Sequence, residues 1–346
     1  MKAIGIPAIV LGLTATVLLV GHYGFGAVGT ALASIGWAGF LAIAGIHLAI
    51  IALCGMAWFA LVPPLRRPAL WAFVWGRLVR DGGSEVLPLS QIGGFVLGAR
   101  AVTLAGLSAR MAVASVVVDV TMELLSQLAY TGLALGILAA LRPQSALAAP
   151  IAGGLAVAGV VAVLLVVAQR RGSTLVKRIT EVMTRRWAHV TASGIAAVQT
   201  AIDEIYCRHR GLLAGFFLHL FCWIASAGEV WFALRLMGAP LGPGPVLAIE
   251  GLLYAARGAA FAVPSALGVQ EGLYVVLGGI FGMEPETALA LSLLKRARDL
   301  SLGGPSLVVW QLVEGRRLWR RRPVQATVLA AKEGTAATAT LPIDGI

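Results

Sequence analysis

Ten charged side chains lie in or beside long apolar runs of this 346-residue sequence, where a membrane would surround them. They are Asp119, Glu123, Glu229, Glu250, Arg257, Glu271, Lys295, Arg296, Arg298 and Asp299. A charge at the centre of a bilayer costs at least about 3 kcal/mol, so such residues face protein or a water-filled space. Two interpretations stay open. One is a polar cavity that receives a zwitterionic or polyhydroxylated headgroup, and the other is acid–base pairing that holds the helices together.

Two stretches of the chain interrupt apolar runs with proline, glycine and polar residues. The first, 82–94, contains Glu85, Pro88 and Gln91, and the second, 262–272, contains Pro264, Gly268, Gln270 and Glu271. Proline removes an amide donor and clashes with the preceding turn, so a helix is expected to stop there. Broken backbone at membrane depth is tolerated only where protein or a wet cavity surrounds it. Two such interruptions in corresponding halves are typical of a transporter site.

These observations predict a substrate-binding set around the two interruptions and in the helix that follows each of them. The set is Glu85, Pro88, Gln91, Asp119, Glu123, Arg257, Pro264, Gln270, Glu271, Lys295, Arg296, Arg298 and Asp299. Asp119 and Glu123 are four residues apart and therefore share one helix face. The five histidines and three cysteines show no metal-ligand spacing, and no nucleotide-binding or zinc motif is present. The sequence predicts no metal, no cofactor and no catalytic residue.

The composition is that of an integral membrane protein. Hydrophobic residues make up 59% of the chain and charged residues 12%, against about 25% charged residues in soluble domains. The formal net charge is +11. Because the Lys and Arg residues cluster between the apolar runs, they are explained by membrane topology, and nucleic acid is not an expected partner.

The apolar runs predict an all-α membrane fold with six full crossings and two re-entrant hairpins. The crossings are predicted at 4–20, 37–62, 111–141, 150–168, 212–237 and 286–313, the hairpins at 69–106 and 246–283, and a basic loop at 170–186. Each arm of a hairpin is shorter than the ~20 residues that a spanning helix needs. An amphipathic helix around 195–205 is predicted either to lie on the bilayer or to pack as a cap on the other helices.

The distribution of Lys and Arg predicts both termini on the cytoplasmic side of a bacterial inner membrane. The order helix, helix, hairpin, helix then occurs twice with opposite orientation. One membrane domain is predicted at 1–322, with halves at 1–142 and 147–322, followed by a disordered cytoplasmic tail at 323–346.

Internal spacing supports this inverted repeat. Asp119 and Glu123 follow the proline of the first interruption by 31 and 35 residues. Lys295 and Asp299 follow the proline of the second interruption by the same two spacings. The charged residues of the two halves are therefore expected at corresponding positions.

Five segments of the sequence together resemble one family of bacterial membrane proteins. They are HYGF at 22–25, LPLSQIGG at 87–94, VDVTME at 118–123, GVQEG at 268–272 and KRARDL at 295–300. That family is encoded with hopanoid biosynthesis genes, and it looks like a branch of the superfamily named for the transmembrane region of lysylphosphatidylglycerol synthase. The resemblance covers about residues 1–320. Where an acidic residue often follows the first Gly-Gly in the family, this sequence has Phe95.

The resemblance implies a membrane part that flips a lipid. The synthase activity is not expected, since only a short tail follows the membrane part in this sequence. The leading expectation is a non-enzymatic lipid translocase with a hopanoid or phospholipid as cargo and hopanoid biosynthesis enzymes as partners. One alternative is an enzyme that modifies a hopanoid side chain, with Glu271, Asp119 and Glu123 as acid/base candidates. The other is a scaffold that gathers biosynthetic enzymes.

Overall fold

The computed structural model describes residues 18, 21–22, 25–86, 90–146, 148–183, 188–260, 263 and 266–338. Within these ranges the chain forms α-helices joined by short turns, including the 3₁₀ turn Pro64–Arg66, and it forms no strand. The helices in chain order are α1 (Phe25–Ala33), α2 (Gly36–Leu61), α3 (Leu70–Val86), α4 (Ser90–Leu104), α5 (Ala109–Leu141), α6 (Ala148–Met183), α7 (Ala188–Tyr206), α8 (His209–Leu236), α9 (Pro243–Ala259), α10 (Val269–Ile280) and α11 (Pro285–Thr338).

Four helical segments within the described ranges are long and apolar enough to cross a membrane. They are α2, α5, α8 and the segment Ala149–Arg170 of α6, with 22 to 33 residues each. At about 1.5 Å of rise per residue, such helices reach across a bilayer core of about 30 Å. The predicted crossing at 4–20 lies outside the described residues apart from Leu18, and the one at 286–313 is part of α11. The protein is a multi-pass, all-α integral membrane protein.

Helix α6 is longer than the sequence predicted. The crossing expected at 150–168 was to end before a basic loop at 170–186, whereas α6 continues to Met183. The loop prediction is therefore wrong over 170–183. The physical reason is that Arg and Lys are good helix formers and no proline interrupts this run.

The two predicted hairpins correspond to α3 with α4 and to α9 with α10. Their helices have 17, 15, 17 and 12 residues, each below the ~20 needed to span. Helix α3 continues through Gly82 to Val86, so the first break does not begin at Gly82 as the sequence predicted. In the second hairpin the chain turns at Gly268, whose φ of +76° favours glycine, and α10 begins at the next residue.

The helices pack in the reciprocal pattern that an inverted repeat requires. Helix α2 packs against α8, α3 packs against α11, and α9 packs against α5. A Cβ atom built on Gly82 would lie 2.9 Å from the Cα atom of Gly303, and one built on Gly258 would lie 3.5 Å from Gln127 Nε2. Gly82 and Gly258 each lie six residues before the proline of their interruption. Each partner lies 39 residues after the proline of the other interruption, so equivalent positions meet in both halves.

Helix α7 contains the amphipathic segment for which two placements were open. Its residues Ala201, Ile202 and Ile205 are buried in the same apolar cluster as Met111 and Val118 of α5. This packing favours a cap on the other helices over a helix that lies only on the bilayer.

Helix α11 extends far beyond the predicted crossing, to Thr338. Residues 323–338, which the sequence assigned to the tail, are therefore helical. The disorder of the tail at 323–346 and the bounds of the membrane domain stay predictions.

We expect Gly82→Ala to lower the melting temperature of the detergent-solubilised protein. The new methyl group would meet the backbone of Gly303 at 2.9 Å, and overpacking of this kind costs about 1–3 kcal/mol. The control is Gly304→Ala, because a Cβ atom there has nothing within 4 Å. Equal melting temperatures for the two variants would contradict the close contact between α3 and α11.

Candidate functional site

A cavity of about 380 Å³ lies between the two hairpins, with α2, α5, α8 and α11 around it. Its wall is rich in ionisable side chains, while Phe95, Trp223 and Tyr254 add aromatic surface. The charged residues of the wall are Arg77, Arg80, Asp81, Glu85, Glu123, Arg257, Arg298 and Asp299. A pocket with several convergent polar groups is the usual form of a small-ligand site, and charges at membrane depth mark functional sites by default.

The first-half cluster joins α3 to α5 through two arginines and their carboxylates. Arg77 donates to Glu123 (Nη2 to Oε1, 2.6 Å) and to Asp81 (Nε to Oδ2, 2.9 Å). Arg80 donates to Asp119 (Nη1 to Oδ2, 2.7 Å) and also to Glu123. Glu123 thus binds two guanidinium groups, which are the donors that match carboxylate geometry best. The side chain of Glu123 is 16% exposed and faces the cavity, whereas that of Asp119 is fully buried behind the wall.

Two further residues complete the first-half cluster from other helices. His219 of α8 contacts Asp119, with 3.0 Å between Nε2 and Oδ1. The ring of Phe95 on α4 lies under the guanidinium of Arg80, 4.7 Å from ring centroid to Cζ. This cation–π contact gives the aromatic side chain at this position a role in holding Arg80.

The second-half cluster lies across the cavity and joins α2, α8 and α11. Arg298 donates to Glu229 and to the neighbouring Asp299, with Nη2 2.7 Å from Asp299 Oδ1. His47 of α2 contacts Glu229, with 2.9 Å between Nδ1 and Oε2, and lies 3.7 Å from Asp299 through Nε2. Each cluster therefore combines carboxylates, arginine and one histidine.

One ion pair connects the two hairpins directly. Arg257 of α9 contacts Glu85 of α3, with 3.3 Å between Nη2 and Oε1. Both side chains are partly exposed, 19% and 25%, and both line the cavity. These two sequence-predicted residues, from different halves, are thus brought together.

Four further members of the predicted set lie, like Asp119, behind the cavity wall. Lys295 donates to Glu250 (2.7 Å) and to the hydroxyl of Tyr274 (2.8 Å). Glu271 accepts from Arg296 and from the backbone N–H of Gly268 at 2.8 Å. Gln270 donates to Ser292 Oγ at 2.8 Å. The sequence expected Gln270 and Glu271 to face a cavity, but here they fix the start of α10 to α11.

Three members of the set lie outside what the structure describes. Pro88 and Pro264 are outside the described residues, and of Gln91 only the backbone is described. The wall thus contains Glu85, Glu123, Arg257, Arg298 and Asp299 from the predicted set. The binding role of every member stays a prediction.

Sequence reasoning missed five ionisable residues of the two clusters, namely His47, Arg77, Arg80, Asp81 and His219. The arginines follow an aromatic segment and were interpreted only as the end of a half-helix before the first interruption. A usable signal was the spacing of four residues among Arg77, Asp81 and Glu85, which places them on one helix face. Among the described residues, no group of His, Cys, Asp and Glu is arranged to hold a metal ion.

The fold and the cavity define a multi-pass, all-α membrane protein with a charged site between two short-helix hairpins. The chain belongs to the family described as the Lysylphosphatidylglycerol synthase TM region, whose profile matches residues 5–303. This membership makes it a membrane lipid-related protein. No curated protein and no solved structure matches the chain.

Proposed function

We propose that the protein is a lipid translocase that moves a lipid headgroup through the cavity while the apolar part of the lipid stays in the bilayer. The observation that carries the proposal is the charged cavity between the two hairpins. Its wall offers guanidinium and carboxylate groups from both halves, and Arg257 of the second half meets Glu85 of the first. A site of this kind at the interface of two repeats is common to alternating-access transporters.

The cargo, the membrane and the partners belong to the same proposal. A hopanoid or phospholipid is the cargo, and hopanoid biosynthesis enzymes are candidate partners, on the strength of the resemblance of five sequence segments. The bacterial inner membrane and two cytoplasmic termini follow from the distribution of Lys and Arg.

We also propose that the site performs no chemistry. Of the three acid/base candidates, Asp119 and Glu271 lie behind the wall, and Glu123 accepts hydrogen bonds from two arginines. A carboxylate held by guanidinium groups is stabilised in its ionised form and is a poor proton donor or acceptor. This arrangement favours translocation over the modification of a hopanoid side chain.

Lipid exchange in proteoliposomes tests the proposal. Vesicles would contain phospholipid labelled with a fluorophore on an acyl chain, and dithionite added outside would quench the label that reaches the outer leaflet. We expect the purified protein to make the inner-leaflet label accessible, whereas protein-free vesicles retain it. Retention of the inner-leaflet label in the presence of protein, and absence of copurified lipid by mass spectrometry, would favour the scaffold alternative.

A pair of glycine variants makes the test specific to the cavity. Gly258 lines the cavity, and a Cβ atom there meets only Gln127 at 3.5 Å. Gly258→Trp should therefore place an indole in the cavity and block exchange. Gly228→Trp is the control, because Gly228 is exposed on α8 and has nothing within 4 Å. Equal exchange by the two variants would contradict the assignment of the cavity.

A further inference from the structure

The charges of the cavity do not balance without its histidines. In the first-half cluster, Arg77 and Arg80 face the three carboxylates Asp81, Asp119 and Glu123. In the second-half cluster, Arg298 alone faces Glu229 and Asp299. Each cluster therefore has one more carboxylate than it has fixed cations.

Three further ion pairs near the cavity each join one cation to one carboxylate. Arg257 pairs with Glu85, Lys295 with Glu250, and Arg296 with Glu271. Among these groups of the described residues, the carboxylates outnumber the fixed cations in the two clusters. An uncompensated charge in a low-dielectric interior is strongly unfavourable, so each cluster needs one further positive charge from a proton or from a ligand.

Each cluster contains one histidine in contact with its carboxylates, but the two histidines differ in access. His219 is 1% exposed and contacts the fully buried Asp119. His47 is 18% exposed, lines the cavity, and lies between Glu229 and Asp299. Both histidines line the cavity, but the side chain of His219 is almost completely covered, so His47 is the histidine that the contents of the cavity can reach.

The surroundings of His47 are set by every helix packed against α2. Glu229 faces it from α8, and Asp299 and Arg298 face it from α11. Lys295 of α11 acts through space on Glu229, and Arg257 of α9 acts on Asp299. The remaining charged groups of the wall are Arg77, Arg80, Asp81 and Glu85 of α3 and Glu123 of α5.

We propose that His47 is an exchangeable proton site, and that its proton alternates with the ammonium group of a zwitterionic phospholipid headgroup at Asp299, the carboxylate of the second-half cluster that lines the cavity. The proposal rests on the proposed translocase function and names the class of headgroup and the ion exchanged for it. The ammonium supplies the positive charge that the second-half cluster lacks, so the proton on His47 leaves when the headgroup arrives. The phosphate of the same headgroup competes with Glu85 for Arg257, and the displaced carboxylate of Glu85, which is 25% exposed in the wall, is far better solvated than the buried Glu229.

Calorimetry on the full-length protein in detergent tests the exchange. Dihexanoyl phosphatidylethanolamine would be titrated in two buffers of different ionisation enthalpy, which yields the number of protons released, and dihexanoyl phosphatidylglycerol would serve as the headgroup without a cation. We expect release of about one proton per phosphatidylethanolamine bound, an affinity that weakens up to about tenfold per pH unit on acidification, and no release with phosphatidylglycerol. Binding of phosphatidylethanolamine without proton release, or no binding at all, would overturn the proposal.

His47→Gln keeps a hydrogen-bonding side chain but cannot be protonated. It should bind phosphatidylethanolamine without proton release and with an affinity independent of pH. His209→Gln is the matched control, since His209 is exposed at the start of α8 and outside the cavity wall, and it should behave as the wild type does. Unchanged proton release by His47→Gln would assign the proton to another group and overturn the proposal.

The outcome separates this inference from the proposed function. Proton release on binding without lipid exchange in vesicles would reject the translocase and keep the proton site. Lipid exchange without proton release would reject the proton site and keep the translocase. If His47→Gln does not fold, the proton count and pH dependence of the wild type still decide.

Discussion

Lys295→Met should destabilise the protein by about 3–5 kcal/mol, because it leaves Glu250 as a buried charge without its ion-pair partner. Lys295 and Glu250 are 2% and 0% exposed, and Nζ lies 2.7 Å from Oε2. The hydroxyl of Tyr274 contacts both residues. It is uncharged, however, and therefore does not neutralise the carboxylate that remains. Methionine fills a similar volume, and the loss is therefore one of charge compensation and not of packing.

A double variant separates the loss of charge compensation from the loss of packing. Removing both charges, as in Lys295→Met with Glu250→Leu, should restore most of the stability, because buried pairs replaced by apolar residues are often neutral or stabilising. Arg66→Met is the control, since Arg66 and Glu204 are 49% and 35% exposed in their pair, and an exposed pair contributes about 1 kcal/mol or less. Melting in detergent measures all variants. A single variant as stable as wild type, or a double variant no better than the single, would contradict the burial of this pair.

The architecture could be predicted from the sequence, because insertion into a membrane requires apolar runs of a definite length. Long apolar runs predicted α2, α5 and α8 to within a few residues, since a bilayer core demands about 20 apolar residues for each crossing. Short runs separated by proline and glycine predicted the hairpins. The spacing of Asp119 and Lys295 behind the interruptions predicted corresponding positions, and the reciprocal packing of α3 on α11 and of α9 on α5 supports it.

The partners of the charged residues could not be predicted from the sequence, because packing between distant segments determines them. Arg77 meets Glu123 across 46 residues, and His219 meets Asp119 across 100. Neither the composition nor the helical periodicity indicates which residues so far apart in the sequence come into contact. The helix that carries Arg77 and Arg80 was expected to end near Arg80, whereas α3 continues through Gly82, which packs closely on Gly303.

Glu271 shows how a correct local rule left the direction of a side chain undetermined. The sequence placed an acidic residue in the first turn after the break, where helix N–H groups favour negative charge, and the Gly268 N–H does donate to it. The same carboxylate also binds Arg296 and Ser292 of α11. These contacts turn it away from the cavity and into the protein.

Glu123→Gln should leave the protein folded and reduce lipid exchange by about 10- to 100-fold, the loss that corresponds to one charged hydrogen bond of about 1.5–3 kcal/mol. Neither arginine would be left alone, because Arg77 keeps Asp81 at 2.9 Å and Arg80 keeps Asp119 at 2.7 Å. The melting temperature should therefore change little. The lost group is the cavity-facing carboxylate of the first-half cluster. We therefore attribute the reduced lipid exchange to weaker interaction with the headgroup, and the vesicle assay measures it.

Asp119→Asn is the informative comparison, because it removes a carboxylate of the same cluster that does not line the cavity. Asp119 is fully buried between Arg80 and His219, so its loss should lower the melting temperature more than Glu123→Gln does. Glu284→Gln, at an exposed residue outside the wall, controls for the removal of a surface charge and should change neither quantity. If Glu123→Gln instead kept both its melting temperature and its lipid exchange, the carboxylate would neither hold the helices together nor meet the headgroup. The first-half cluster would then have to be excluded from the site.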